Sequence, residues 1–404
     1  MTRASRHYKV MLFTLYLFLI ICFSLLAIKS DPFDPKPIYM GLGYMAIITI
    51  GFITMRIFAL NGDAMLFMLS NFLCGIGLVM LYRVDENLAY RQFIWITGGI
   101  ALFIVITFLF KYYGQVMSNY KLLAFFSLAL LAVTIIFGKE HGGSTNWLKI
   151  GGIQFQPSEF VKILFCLASA SFLKDHKEQK DVIIYTVFVL MVVMLLFIQK
   201  DLGMAIIFFL TGMVFVYTAT GVVKYPAIGL AMLAIGGGAS YFMFSHVRVR
   251  FEAWLNPWMD VPGKSYQIVQ SLFAIGAGGL FGSGLGLGHP EYIPAVETDL
   301  IYSITVEEFG LLVGLAIIII YLLIFVRAYL SAMASEKTAK QLLLTGISSM
   351  LAFQTFIIIG GVTKFIPLTG VTLPFISYGG SSILTSFCFL GIMNSLSIEE
   401  VQQQ

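Results

Sequence analysis

Apolar residues run along this chain in unbroken blocks rather than alternating or recurring every third or fourth position. Blocks long enough to cross a bilayer fall at 10–28, 38–60, 64–82, 92–110, 120–138, 157–173, 182–199, 202–219, 225–244, 301–329, 341–362 and 373–396. Such blocks predict membrane-spanning helices, because lipid offers the backbone no hydrogen-bond partner and a helix satisfies its own. The pattern therefore predicts an all-α, polytopic helical bundle of about 12 transmembrane helices. An even number places both termini on one side. The stretch 266–288 is also apolar, but Gly276, Gly278, Gly279, Gly282, Gly284, Gly286 and Gly288 interrupt it. It reads as an interfacial or re-entrant segment packed on protein. The first block follows Arg3, Arg6 and Lys9 as a signal peptide would, yet has no small-residue cleavage site, so it is expected to be a retained anchor.

Composition supports the membrane reading. Of 404 residues, 59% are hydrophobic and 11% charged, where a soluble domain carries roughly 25% charge. Mean hydropathy is +0.90. Cys22, Cys74, Cys166 and Cys388 all lie in apolar blocks and fit no metal or disulfide spacing, so they are expected to be buried small hydrophobes. The net charge of +4 is modest and argues against nucleic acid as a partner. Basic residues at the N-terminus, in 174–180 and at Arg327, Lys337 and Lys340 fall on one side, expected to be cytoplasmic. The acids lean towards the other face, which suggests a polar site at the outer leaflet.

The longest interruption is 245–300, an outer loop ending in Glu297-Thr298-Asp299. Loops of this length are usually functional. Asp299 stands just before an apolar block, so it is either a helix N-cap or a site carboxylate, and the two are compatible. Glu159 and Lys162 share a helix face, as a self-neutralising pair or as the wall of a substrate groove. Gln199-Lys200-Asp201-Leu202-Gly203 is either a tight turn or part of an outer cavity. Glu307 and Glu308 would sit roughly 12–13 Å into the 301–329 helix, protonated or paired with a base from another helix. The string Gly282-Ser283-Gly284-Leu285-Gly286-Leu287-Gly288 looks like a phosphate loop but lacks the strand and the lysine that a nucleotide site needs. His141, His246 and His289 lie at no metal-ligand spacing.

A set of short motifs, in order, carries a resemblance. They are Gly77-Leu78, Arg91-Gln92-Phe93-Ile94-Trp95, Gly143-Ser144-Thr145-Asn146-Trp147-Leu148, Gln156-Pro157-Ser158-Glu159 with Lys162, and Gln199 to Gly203. After them come Asn256-Pro257, Gly263 to Gln267 with Gln270-Ser271, Thr298-Asp299, and Leu373-Pro374-Phe375-Ile376-Ser377-Tyr378-Gly379-Gly380-Ser381-Ser382. From about 64 to 397 the chain resembles the SEDS family (shape, elongation, division and sporulation), which includes RodA, FtsW and SpoVE. Residues 64–397 would then be the family core with its catalytic loop at 245–300, and 1–63 two additional N-terminal helices. The resemblance implies a peptidoglycan glycosyltransferase that polymerises lipid II at the outer face of the bacterial cytoplasmic membrane, in elongation, division or sporulation. It implies a class B penicillin-binding protein as partner, and it maps the family's essential aspartate onto Asp299. Three departures mark a divergent branch. A Pro-Glu pair is Pro294-Ala295 here, a histidine before the Thr-Asp pair is Glu297, and arginines before the motif tryptophan are Ser144, Thr145 and Asn146.

The chemistry fits these residues. A carboxylate at Asp299 can take the proton of the attacking sugar hydroxyl. The pyrophosphate leaving group needs cations. Candidates are Lys162, Arg83, Arg248, Arg250, Lys264 and Lys364, or a divalent cation such as magnesium or manganese, for which no motif fixes a site. Glu159, Trp147, Gln267, Ser377, Tyr378 and Ser381 complete the expected substrate-binding set. The alternatives are a lipid II flippase with Glu159, Lys162, Glu307 and Glu308 along its path, and a non-catalytic scaffold for the penicillin-binding partner.

Overall fold

The computed structural model of the chain describes residues 3–58, 63–110, 117, 119–141, 144–151 and 153–401. Gly143 of the third motif and the end of the second apolar block, 59–60, lie outside them. In chain order the helices are α1 (Arg3–Lys29), α2 (Lys36–Phe58), α3 (Ala64–Val84), α4 (Glu86–Leu109), α5 (Tyr120–Phe137), α6 (Pro157–Leu173), α7 (Gln179–Ile198) and α8 (Leu202–Thr220). They continue with α9 (Lys224–Met243), α10 (Ser245–Leu255), α11 (Tyr266–Gly278), α12 (Ile301–Phe309), α13 (Leu311–Ala334), α14 (Thr338–Val362) and α15 (Gly380–Val401).

Ten of these, α1 to α5, α7 to α9, α13 and α14, are long and apolar enough to cross a membrane. The other two expected spans also form helices, α6 of 17 residues and α15 of 22. The chain is thus an all-α polytopic membrane protein. Its lipid side is plain in α9, where Ile235, Phe242 and Met243 are exposed, and in α5, where Ile136 and Phe137 are. At the centre stands α3, buried along nearly its whole length, with Tyr44 of α2 donating to the backbone oxygen of Asn71 at 2.8 Å.

Three expectations change. The 301–329 block is not one helix. It breaks at Gly310, which caps α12 and starts α13 at φ 88°. The last block begins its helix at Gly380, and 373–379 form a tight turn whose Ile376 and Ser377 amides both donate to Leu373 O. The segment after α5, expected only as loop, holds a small antiparallel sheet, β1 (Lys139–His141), β2 (Ser144–Ile150) and β3 (Ile153–Phe155), in the order β1-β2-β3. The long loop 245–300 is itself largely ordered, as α10, α11 and short 3-10 turns. At 13 residues α11 spans roughly 20 Å, too short to cross a bilayer.

Capping explains several helix starts. Asp63 accepts from the amides of Met65 and Leu66, and Asp85 from those of Asn87 and Leu88. Two ion pairs lock α3 to its neighbours at opposite ends. Arg327 of α13 donates to Asp63 at 2.5 Å, and Arg83 donates to Glu308 of α12 at 3.2 Å. The turn 373–379 packs between these elements, and Tyr321 of α13 donates to Pro374 O.

Gly77 of α3 sits against that turn with no room for a side chain: a Cβ there would lie 2.9 Å from the Cα of Ile376. Backbone cannot yield as a side chain can. Gly77→Ala is therefore expected to cost about 1–3 kcal/mol, read as a lower unfolding temperature in detergent. An unchanged unfolding temperature would show that the turn is not held as described.

Candidate active site

The loop before α12 ends in a turn closed on Ala295, whose carbonyl accepts from the amides of Thr298 and Asp299 at 3.2 and 3.1 Å. This turn leaves Asp299 short of the helix. Leu300 occupies the cap position, without a side-chain cap bond, so the carboxylate is not a helix cap. It faces Arg250 instead. Arg250 and Trp254 lie one turn apart on α10, hence on one face. Both reach the connection between α14 and α15: Arg250 Nη1 donates to Thr369 O at 2.7 Å and Trp254 Nε1 to Lys364 O at 3.1 Å. Between acid and guanidinium lies Gly370, at φ 78°. A Cβ there would be 3.3 Å from both Asp299 Oδ2 and Arg250 Nη2, so a glycine keeps the gap open.

Burial pushes the Asp299 carboxyl up to about 6, against the downward pull of Arg250 and the Thr298 hydroxyl, while Glu297 adds to the rise. A second carboxylate, Asp201, also lies within Arg250's field. It starts α8 by accepting from the amide of Met204 at 3.2 Å, and it takes Asn146 Nδ2 at 2.7 Å and Gln156 Nε2 at 3.0 Å. Burial raises this acid too, opposed first by Asn146 and then by the Met204 amide, Gln156 and Arg250. The 199–203 segment is thus a tight turn whose Asp201 belongs to the polar cluster around Arg250. Asn146, Gln156, Thr369 and Gly370 had not been singled out as site residues. Gln156 and Asn146 lay within motifs, but nothing in the sequence marks Thr369 or Gly370.

The structure assigns several expected substrate ligands to the protein itself. Ser377 Oγ donates to Thr298 O at 2.5 Å and accepts from Leu373 N at 2.8 Å, and the Tyr378 amide donates to Glu297 O at 2.8 Å. These bonds hold the acid's turn. Ser381 Oγ accepts from the Gln156 amide at 3.1 Å. Lys162, 1% exposed, pairs with Glu159 at 2.7 Å and donates to Gln354 Oε1 at 2.7 Å, so the two form a closed buried pair rather than a groove wall. Lys264 pairs with Glu252 at the surface at 3.3 Å. Lys364 lends its carbonyl to Trp254, Trp147 is half-buried in β2, and Gln267 is half-buried in the first turn of α11.

Arg83 is likewise engaged. Besides Glu308 it donates to Gly288 O at 3.0 Å. Glu308 in turn accepts from the amides of Gly286 at 2.7 Å and Gly288 at 3.2 Å, and Glu307 from that of His289 at 3.2 Å. The glycine string does cradle an anion, as its look suggested, but the anion is the protein's own carboxylate. Because α12 stops at Phe309, these acids lie in the last turn of a nine-residue helix beside the end of α3. Among the described residues no group of three His, Cys, Asp or Glu side chains is placed to hold a metal ion.

With this geometry in view, comparison with known proteins is decisive. The family model for FtsW, RodA and SpoVE, described as cell cycle protein, matches residues 53–402. The chain belongs to that family. It is 35% identical over 388 residues to the peptidoglycan glycosyltransferase RodA of Mycobacterium tuberculosis, covering 88% of this chain and 82% of that one. It is 30% identical over 362 residues to the stage V sporulation protein E of Bacillus subtilis, covering 83% of this chain and 96% of that one. A solved chain from work on "Structural coordination of polymerization and crosslinking by a peptidoglycan synthase complex" superposes with a TM-score of 0.73 at 27% identity, over 84% of this chain and 99% of that one. In this family member, then, the Thr298-Asp299 pair sits where α10, the 364–370 connection and the 373–379 turn converge.

The closed Glu159–Lys162 pair makes a sharp forecast. Lys162→Ala leaves a buried carboxylate without its cation and is expected to cost about 3–5 kcal/mol, whereas replacing both residues by methionine recovers most of that loss. Thermal unfolding of the single and double variants in detergent checks it. Equal stability of Lys162→Ala and the parent would contradict a closed pair.

Proposed function

We propose that this chain is a peptidoglycan glycosyltransferase that joins lipid II units by β-1,4 transfer at the outer face of the bacterial cytoplasmic membrane. The observation that carries the reading is the Asp299 carboxyl, raised to about 6 and held beside Arg250. A base is most effective when its pKa lies near the working pH, since it is then both ionised and basic. An ordinary aspartate, near 3.9, would be ionised but far weaker.

The step balances on these groups. The acceptor's sugar hydroxyl oxygen forms a bond to C1 of the donor sugar. The bond from C1 to the pyrophosphate oxygen breaks, and its electron pair leaves with the lipid pyrophosphate. The hydroxyl proton passes to Asp299. Attack opposite the leaving group inverts C1, turning an α-linked donor into a β-linked product. Arg250 is the candidate cation beside Asp299 and so the one placed for the departing pyrophosphate, whereas Lys162, Arg83 and Lys264 are already paired. A divalent cation, if one takes part, would be carried mainly by the pyrophosphate itself.

The relatives named as peptidoglycan glycosyltransferases support the reaction class. The solved neighbour belongs to a complex that couples polymerization with crosslinking, and this supports a crosslinking partner for this chain, a class B penicillin-binding protein. A flippase is less well supported. The four acids and bases that would have lined its path are occupied in local pairs and backbone bonds. Both termini are proposed to face the cytoplasm, which leaves α10, α11 and the 279–300 segment outside.

Purified protein with its partner, given lipid II in detergent, is expected to make long glycan strands. Asp299→Asn keeps the shape and removes the base, and should lower the rate by about 10²–10⁴-fold. Detergent removes any need to flip. Strands made equally well by Asp299→Asn would take the carboxylate out of the reaction. No strands from either protein, with lipid II crossing vesicle membranes, would favour the flippase.

A further inference from the structure

Gln92 lies inside the protein, 1% exposed, in the first half of the apolar α4. It belongs to the Arg91-to-Trp95 motif, which the reaction as described leaves without a role. A buried amide that kept no partners would be destabilising. Gln92 has two, and both are backbone groups of one short turn. Its Nε2 donates to Ser377 O at 3.0 Å, and its Oε1 accepts from the Gly379 amide at 3.2 Å. A backbone carbonyl can only accept and a backbone amide can only donate, so the side chain has a single orientation that serves both.

The same turn holds the acid. Ser377 Oγ donates to Thr298 O, and the Tyr378 amide donates to Glu297 O. A continuous chain of bonds therefore runs from α4 through 377–379 to the two residues before Asp299. Hydrocarbon of the same size would fill the space at Gln92 without gripping either backbone group. What the amide adds is a fixed place for the turn, and with it a fixed place for the carboxylate.

We propose that Gln92 is a positioning residue for glycosyl transfer, which through Ser377 and Tyr378 fixes the 297–299 turn so that Asp299 faces Arg250 across Gly370. The inference rests on Asp299 being the base. Small displacements matter in such a reaction: moving a group by about 1 Å can cost about 10²-fold in rate. Loosening the turn also lets water reach the carboxyl and weakens the burial that raises it.

The test is lipid II polymerisation by the full chain with its crosslinking partner, followed against lipid II concentration and pH. The proteins are the parent, Gln92→Met, Gln92→Glu, Ser377→Ala, the Gln92→Met/Ser377→Ala double variant and Asp299→Asn. Gln92→Met is expected to lower kcat by about 10–100-fold with KM little changed. Its acid limb should move below that of the parent, towards the ordinary carboxylate range. Gln92→Glu keeps the acceptor for Gly379 and should fall between. Ser377→Ala should behave like Gln92→Met, and the double variant should lose little more, because both act through one chain of bonds. If Gln92→Met does not fold, Gln92→Glu and Ser377→Ala carry the same comparison.

An unchanged kcat in the Gln92 and Ser377 variants would overturn the proposal. So would a lower rate whose acid limb stays where the parent has it, since that is the signature of fewer folded molecules. If instead the parent shows no limb near pH 6, or Asp299→Asn polymerises like the parent, the base reading itself has failed and the inference falls with it.

Discussion

The structure depends on holding one carboxylate in two environments at once. Asp299 must be buried enough to be basic near neutral pH, yet close enough to Arg250 to remain ionisable. Burial alone would keep it protonated, and a direct ion pair in water would return it to the ordinary range. The compromise is built from backbone. The 373–379 turn grips residues 297 and 298, α10 lays Arg250 on the 364–370 connection, and Gly370 spaces the two charges. These elements come from three separate parts of the chain, α10, the 295–299 turn and the connection between α14 and α15, which is why the site exists only in the folded bundle.

Elsewhere the protein removes charge from its interior by pairing. Arg83 with Glu308 and Arg327 with Asp63 join separate elements, and Glu159 with Lys162 pair within α6, where Lys162 also reaches Gln354 of α14. Removing one partner from a buried pair is far more costly than replacing both, so such pairs fix geometry more than they add stability. Two of them clamp the opposite ends of α3, a helix buried along most of its length. That rigidity matters for a site made of loops, because α3 carries the face on which the 373–379 turn rests. The two N-terminal helices join the same frame: α1 packs along α3, and Lys29 at its end donates to Gly286 O in the glycine string.

Much of the fold was legible because lipid imposes it. Apolar blocks become helices wherever the backbone has no other partner, and each of the twelve blocks holds a helix of at least 17 residues, with the 301–329 block adding the nine-residue α12. What the pattern hid were the places where an apolar stretch bends. In the 301–329 block Glu307 and Glu308 precede the break at Gly310, but charge alone does not tell a break from a charged face of one helix, and the 373–379 turn is apolar up to Ile376, with Phe375 in a left-handed conformation at φ 66°. At the site, Asp299 and Arg250 were marked by being charges at a membrane boundary. Arg83 and Lys162 were marked by the same signal, and Ser377 and Ser381 by hydroxyls in a glycine-containing turn, yet the polar atoms of all four serve the protein. Residue type and position cannot separate a group that meets substrate from one that meets a neighbouring backbone. Only the partners do, and the partners lie up to hundreds of residues away.

The most direct test of the central claim is the pH dependence of glycan polymerisation by the parent protein under saturating lipid II. Because the base must be ionised, the rate should rise with pH, reach half its maximum near 6 and level off above. A rate that is flat from pH 5 to 8, or that falls to half only near the ordinary aspartate value, would contradict the account.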